Sequence, residues 1–401
     1  MRGLCIASCL LLLVVAGCRG AVEEPPTPAP RVLVAASPSP VPTESEGTPE
    51  VQAVRSPAPA VFVRPIASPS PIALPLSVLV GYSGSDLRVG LDLALEENLY
   101  LTAAAIAAAA AQRTDELAGL SRTLDQTSST IAAIVGAVRG SQAQQTLLDG
   151  LRAQIATVLS AARGEGATFD VDTTDPVLRA RGVALRMLVL NATPIDLATL
   201  RNTLAGMDDV ARPLAADLAE RAAAQLAGPT DEPETQLRLA VDRHVQEHVL
   251  LLGLALHPGG PTNADAPNAP LDELAQQLAP IYGEPMARGL ASVLHEHTTA
   301  LLSTNRPLAP VALDQARADL DALLATANPL LPKGIISAQL RAADQELLAA
   351  ADSFVARDWG SAYSHIHQAA RLSQRVGDAI ALATTDRYPG RFLATPTPAS
   401  P

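Results

Sequence analysis

The sequence LRVGLDLALEENLYL at residues 87–101 recurs in outline as LRLAVDRHVQEHVLL at residues 237–251. The two stretches align without a gap at an offset of 150 residues, and leucine or valine returns in both at the spacing of an amphipathic helix. Around them alanine and leucine dominate, aromatic residues are few, and strand-like alternation of Val, Ile and Thr is nearly absent. The sequence therefore predicts an all-α fold.

A second pair of stretches supports an internal duplication. Gly140 aligns with Gly283, and the same register then aligns five residues of the next helix with five others: Leu147, Leu151, Gln154, Leu159 and Ser160 with Leu290, Leu294, His297, Leu302 and Ser303. Two helices thus recur in the same order with the same spacing, which predicts two tandem helical bundles at residues 84–228 and 232–388. The alternative is a single continuous α-bundle in which Ala/Leu-rich helices align by coincidence.

Helix-breaking residues divide the second copy into amphipathic segments. Proline and glycine at the boundaries predict helices at 234–256, 272–281, 285–303, 310–327, 334–356 and 358–382. The connections are short, so neighbouring helices are expected to be antiparallel. In the first copy, Ser85 or Asp86 is predicted to cap the first helix.

The first eighteen residues have the form of an export signal. Residues 1–2 give a short positive start, residues 10–15 an apolar run, and VAGC at residues 15–18 resembles a bacterial lipobox. In lipoproteins the signal peptidase cuts before the cysteine, whose sulfur and amino group then carry acyl chains. The resemblance implies a signal peptide at 1–17, acylated Cys18 in contact with membrane lipid, and a cell-membrane location facing the extracytoplasmic side. A plain signal peptide or a membrane-spanning start is the alternative, although the apolar run is short for a span.

Both ends of the mature chain are rich in proline. Residues 19–75 contain fourteen prolines in fifty-seven positions, which cannot propagate a helix or a central strand. Residues 18–80 are therefore predicted to be a disordered tether, and residues 389–401 a Pro-rich tail. Cys5 and Cys9 lie in the signal, so the mature chain keeps only Cys18 and has no thiol for a disulfide or for catalysis.

Composition excludes several classes of function. The net charge is −12 and Lys333 is the only lysine, so an acidic, aromatic-poor chain without a basic stripe is not expected to bind nucleic acid. The sequence has no phosphate-binding loop, HExxH, EF-hand or G-x-S-x-G motif. It is therefore interpreted as a binding or scaffold module without a cofactor rather than as an enzyme, and the sequence does not identify its protein or small-ligand partner.

All seven histidines lie in the second copy. His244 and His248 fall on the inward stripe of its first helix at a spacing of four residues, and His297 falls on the inward stripe of its third. On the last helix His365 lies at the edge of the inward stripe, whereas His367 is displaced toward the polar side. Three helices can thus direct an imidazole into the bundle.

Inward imidazoles suggest a second hypothesis, the binding or storage of copper or another transition metal. It requires His248 and His297 to face one another, with a third ligand from His244, His365 or Glu247. The alternative is that these are core histidines satisfied by backbone carbonyls, or boundary residues that face water. Asn98 and Gln154 align with His248 and His297, so any metal site is confined to the second copy.

The second copy resembles a family of bacterial secreted helical-repeat proteins, sometimes catalogued as copper amine oxidase-like. The residues that carry the resemblance are Glu247-His248, IYG at 281–283, His297, ANPLLP at 327–332, and DW at 358–359 followed by AY at 362–363. It covers most of residues 87–383 and implies four histidines per repeat, two of them at His248 and His297. At the other two positions this chain has Ala343 and Leu372, and His365 is the candidate substitute. The chain has no candidate tyrosine for the tyrosine-derived cofactor that copper amine oxidases need.

Overall fold

The computed structural model describes residues 81, 83–165, 173, 175–190, 200–201, 208–258, 264–303 and 309–392. Within these ranges the chain is helical and contains no strand beyond an isolated bridge between Ser83 and Ala227, which confirms the predicted all-α fold. The predicted signal peptide (1–17), Cys18 and the tether to residue 80 lie outside the described residues.

The names first repeat and second repeat denote below the two ranges of the predicted duplication, residues 84–228 and 232–388. The first repeat comprises α1 (Gly84–Ala110), α2 (Thr114–Arg139), α3 (Ser141–Ala162), α4 (Pro176–Leu190) and α5 (Asp208–Arg221). The second comprises α6 (Pro233–Ala255), α7 (Asp265–Tyr282), α8 (Glu284–Leu302), α9 (Ala309–Ala327), α10 (Ile335–Val355) and α11 (Trp359–Arg387), and the short α12 (Pro389–Phe392) follows.

The helices of the second repeat match the predicted segments, with two extensions. Helix α7 begins at Asp265 rather than at residue 272: Pro267 lies in the first turn, where no backbone N–H is needed, and the helix continues through Pro270. Helix α11 continues beyond residue 382, since Ala383 and Thr384 are still buried. Residues 389–392 of the predicted Pro-rich tail form α12, and residues 393–401 lie outside the described part of the chain.

Helix α1 begins with a capping box. The Asp86 backbone N–H donates to Ser83 Oγ at 3.0 Å, and the Ser83 N–H donates to Asp86 Oδ2 at 3.1 Å. These two bonds satisfy donors that the first helical turn leaves free. The N-cap is therefore Ser83; the prediction of Ser85 was wrong, and Asp86 contributes as the third helical residue rather than as the cap.

Helices α1 and α6 run through the interior. Most of α1 is buried, including Arg88, Glu96, Glu97 and Asn98. Among the described helices α1 is the one long and apolar enough to cross a membrane, but 83% of its most apolar window is buried inside the protein. Its apolar composition is accounted for by this packing.

The described helices pack around two main hydrophobic cores. One core joins both repeats, since leucines of α1 pack in the same cluster as Leu250 of α6, Phe354 of α10 and Ile366 of α11. The other core belongs to the second repeat alone, with members from each of α6 to α11. The second core surrounds the candidate site.

Polar bonds and a close backbone approach also link the repeats. The Tyr100 hydroxyl donates to Glu247 Oε1 at 2.6 Å, and the Tyr363 hydroxyl donates to Glu116 Oε1 at 2.8 Å. Where α2 crosses α11, a Cβ built on Gly119 would lie 2.8 Å from the backbone nitrogen of Gly360. Glycine is needed there because the two backbones approach so closely.

Candidate functional site

His248 of α6 and His297 of α8 meet inside the second repeat. Their ring centroids are 6.4 Å apart and the ring planes are inclined by 47°. Each side chain is buried, with 4% of the residue surface exposed. The structure thus brings together the two histidines that the sequence singled out on separate helices.

Both rings line one small cavity of about 30 Å³. All six helices from α6 to α11 contribute to its wall, and thirteen of the sixteen lining residues are aliphatic. The three polar lining residues are His248, His297 and Asp344. A cavity needs roughly 10–15 Å³ to hold one water molecule, so this one has room for a single small occupant.

One nitrogen of each ring is held by a protein acceptor. His248 Nδ1 donates to the backbone carbonyl of Pro267 at 2.8 Å. His297 Nε2 lies 2.9 Å and 3.0 Å from the two carboxylate oxygens of Asp344 and donates to them. These bonds fix the orientation of both rings, and they place a proton on His248 Nδ1 and on His297 Nε2.

The other nitrogen of each ring is buried and unsatisfied. His248 Nε2 and His297 Nδ1 have no hydrogen-bond partner among the described protein atoms. Burial lowers the pKa of His248 to about 4, against a partial opposing effect of the Pro267 hydrogen bond, so that ring is neutral at pH 7. An unsatisfied buried polar atom costs about 1–3 kcal/mol, so two of them beside one cavity call for a shared donor or Lewis acid.

Asp344 is itself held in place by a buried arginine. Arg317 Nη1 donates to Asp344 Oδ2 at 2.5 Å, and Arg317 Nη2 donates to the exposed Asp314 at 2.7 Å. Burial acts to raise the pKa of Asp344, but His297 and Arg317 outweigh it and keep that pKa below its usual range. The carboxylate that supports His297 is therefore ionised.

The remaining candidate ligands lie elsewhere. Glu247 accepts from Tyr100 and, at 2.8 Å, from Arg201 Nε. His365 is half-buried, and its Nδ1 lies 2.6 Å from Glu346. Neither residue lines the cavity between His248 and His297.

His244 belongs to a separate cluster with Glu247 and Glu273. One potential ligand atom of each lies within 4.8 Å of the others. Arg201 bonds both carboxylates, at 2.8 Å to Glu247 and 2.9 Å to Glu273, so a positive charge is already supplied by the protein. The candidate ligands inferred from sequence therefore fall into three places, of which one pairs two imidazoles.

The other histidines each face a carboxylate. His257 Nε2 lies 3.1 Å from Glu116, and His295 Nε2 lies 3.0 Å from Asp272. His367 is buried although it lies on the side of α11 that also carries the exposed Arg371. The cause is a neighbour in the other repeat, since His367 Nδ1 lies 2.5 Å from Glu97 of α1.

Comparisons of the chain with protein-family models, with curated proteins and with solved structures found no match. The function is therefore inferred from the geometry of the chain itself.

Three groups of the site were missed from the sequence. Asp344 and Arg317 interrupt the apolar stripes of α10 and α9, between Leu340 and Leu347 and between Leu313 and Leu320. Buried polar residues on an inward stripe are rare without a partner, and that signal could have revealed the pair. No side-chain pattern in the sequence indicates that the Pro267 backbone carbonyl accepts a hydrogen bond from His248.

Proposed function

We propose that the protein is a lipid-anchored, extracytoplasmic helical module whose second repeat binds one transition-metal ion through His248 and His297. The observation that carries this proposal is the pair of buried nitrogens without protein partners on two rings that line one cavity. A metal ion bonded to one nitrogen of each ring at about 2.0–2.1 Å would place the ring centres roughly 6 Å apart. The observed separation is 6.4 Å.

The surroundings of the rings also favour a metal. Metal-bound histidines almost always donate their other N–H to a carboxylate, a carbonyl or water. Asp344 and the Pro267 carbonyl supply such acceptors to His297 and His248. The competing occupant is one water molecule that donates a hydrogen bond to each ring, and only a binding experiment separates the two.

The ligand set favours monovalent copper over divalent ions. Structural zinc takes four ligands, and divalent copper prefers a tetragonal set of N and O ligands. The described cavity wall offers two imidazoles, an Asp344 already bonded to His297 and Arg317, and aliphatic side chains. Because the cost of burying an ion rises steeply with its charge, a single positive charge is the better fit.

Copper titration tests the metal proposal. Purified protein would be titrated with monovalent copper under anaerobic conditions in competition with a chromophoric chelator. We expect one copper per chain in the wild type and in His295→Ala, which alters a histidine outside the cavity. We expect none above background in His248→Ala/His297→Ala. Equal copper content in the wild type and the double variant would rule out metal binding and leave a water-bridged core pair.

The membrane location is a separate part of the proposal and rests on VAGC at residues 15–18. Two or more acyl chains give stable membrane attachment, and a long tether would hold the helical domain away from the lipid. Cys18→Ala should move the protein from the membrane fraction to the soluble extracytoplasmic fraction. A Cys18→Ala protein that stays in the membrane would contradict the lipid anchor without affecting the metal proposal.

A further inference from the structure

The first repeat contains a buried arginine at the place that corresponds to the histidine cavity. Asn98 and Gln154 align with His248 and His297. The Arg181 guanidinium bridges those two amides, with Nη2 2.8 Å from Asn98 Oδ1 and Nη1 3.0 Å from Gln154 Oε1. The first repeat therefore places a cation between the two side chains that the second repeat replaces with imidazoles.

Arg181 is fully buried and is held by neutral oxygens. Its Nη2 also donates to Thr102 Oγ1 at 3.2 Å, and each of its described bonds goes to an amide or a hydroxyl oxygen. Burial lowers its pKa to about 9, so the guanidinium still carries its charge at pH 7. The fold thus accommodates one buried positive charge at this position without a carboxylate.

The second repeat has an arginine at the equivalent position on its own helix. At an offset of 136 residues four buried positions of α4 fall on four buried positions of α9: Val177, Arg181, Ala184 and Leu188 on Leu313, Arg317, Leu320 and Leu324. The buried Leu178 and Leu185 fall on Asp314 and Asp321, which are not buried. Arg181 and Arg317 are therefore counterparts, and both are buried. Their partners differ. Arg181 bonds Asn98 and Gln154, whereas Arg317 bonds Asp344 and Asp314 and not the counterpart pair His248 and His297.

Two carboxylates that the first repeat lacks hold Arg317: Asp314 stands at the position of Leu178, and the next helix supplies the other. At an offset of 129 residues the buried positions of α5 coincide with those of α10: Ala211, Leu214, Ala215 and Leu218 with Leu340, Ala343, Asp344 and Leu347. Asp344 thus stands where the first repeat has Ala215. In the first repeat Arg181 has no carboxylate at this position and bonds the amides of Asn98 and Gln154. In the second repeat Arg317 bonds the Asp344 carboxylate.

We propose that Asp344 is the positioning residue that opens the histidine cavity, by holding Arg317 away from the place that Arg181 fills in the first repeat. The cavity then takes an external ion of the same charge as a guanidinium, which is a monovalent cation. The identity of that ion rests on the proposed function, whereas the position of Arg317 does not.

Two variants separate the effect of Arg317 from that of the lost carboxylate. In Asp344→Ala, which introduces the residue found in the first repeat, Arg317 should turn between His248 and His297 and abolish copper binding. Asp344→Ala/Arg317→Met loses the same partner of His297 but has no guanidinium. We expect it to bind one copper about 10–100-fold more weakly than the wild type, the usual effect of losing an outer-shell partner. Equal copper affinity in the two variants would overturn the proposal.

A crystal structure of Asp344→Ala gives a reading that does not depend on copper. The expected result is a guanidinium nitrogen of Arg317 within hydrogen-bond distance of His248 or His297; an Arg317 that stays on Asp314 would overturn the proposal. Should Asp344→Ala not fold, Ala215→Asp offers the reciprocal structure, in which Arg181 should leave Asn98 for the introduced carboxylate. An Arg181 that stays on Asn98 contradicts the proposal.

A wild type that binds no copper would remove the proposed function, whereas the structures of the variants would still decide the role of Asp344.

Discussion

His367 Nδ1 lies 2.5 Å from Glu97 Oε1, so the last long helix of the second repeat is bonded to the first helix of the first repeat. Both side chains are 5% exposed. Removing one partner would leave the other polar group buried and unpaired, which costs more than the net value of the bond itself. The contact therefore stabilises the joint core of the two repeats.

Substitution of Glu97 tests this contact. Glu97→Leu should lower the free energy of unfolding by about 2–4 kcal/mol, since it leaves His367 without its carboxylate in a low-dielectric setting. Asp272→Leu is the matched control because it removes the carboxylate from the half-exposed His295, a pair worth about 0–1 kcal/mol. Urea unfolding followed by circular dichroism measures both. Equal losses in the two variants would show that the buried bond contributes no more than a surface pair.

Gly119 provides a test of the crossing between α2 and α11. In Gly119→Ala the new methyl would lie 2.8 Å from the backbone of Gly360, so the helices must separate and about 1–3 kcal/mol of stability should be lost. Gly289→Ala in α8 is the control, because its methyl would meet the mobile end of Leu323 at 3.4 Å. There the better helix propensity of alanine should leave stability unchanged or raise it by up to about 1 kcal/mol. A Gly119→Ala protein as stable as the control would contradict the close crossing.

Periodicity and breakers predicted the helices well because both are local properties. The boundaries of α6 and α8 follow from Pro233, Gly283 and the glycines after His257, which the sequence displays directly. The same periodicity placed His248 and His297 on inward stripes. Periodicity predicted which face of each helix is buried, but it did not predict which residues of other helices pack against that face.

The errors arise where a partner is distant in sequence. His367 and Glu97 are 270 residues apart, and a helical wheel of α11 contains no information about α1. Glu247 was grouped with His248 because they are neighbours, yet successive residues of a helix point in different directions, and Glu247 faces Tyr100. The pairing of Asp344 with His297 and Arg317 required three helices to be placed in space.

The pKa of His248 predicts a specific dependence of stability on pH in the metal-free protein. The pKa of the His248 ring is about 6.5 in the unfolded chain, whereas burial lowers it to about 4 in the folded protein. The unfolded state therefore binds more protons between these values, and stability is lost as the pH falls from about 6.5 to 4. The loss should reach about 3 kcal/mol in the wild type relative to His248→Phe. Parallel stability curves for the two proteins over this window would refute the assignment.

Glu96 should act in the opposite direction. Burial raises its pKa to about 8, Arg243 opposes that rise in part, and Glu247 and Asp92 add to it. The folded state therefore keeps a proton between about pH 4.5 and 8 that the unfolded state has lost, and stability falls as the pH rises through this range. Glu96→Gln keeps a neutral side chain of the same shape and should be more stable than the wild type at pH 8.5, by on the order of 4 kcal/mol. Glu220→Gln, at an exposed site, should show no such gain; neither should Glu96→Gln at pH 4.5.

The correspondence between the repeats predicts that a second metal site can be built in the first. Asn98→His and Gln154→His supply the two imidazoles, and Ala215→Asp supplies the carboxylate that should draw Arg181 away from them. The triple variant is expected to bind two monovalent copper ions per chain instead of one, measured by chelator competition. Asn98→His/Gln154→His alone should stay at one, because Arg181 remains between the rings and a second positive charge would be repelled. A double variant that already binds two ions would show that the arginine does not control access, and a triple variant that binds one would show that the two repeats are not equivalent at this position.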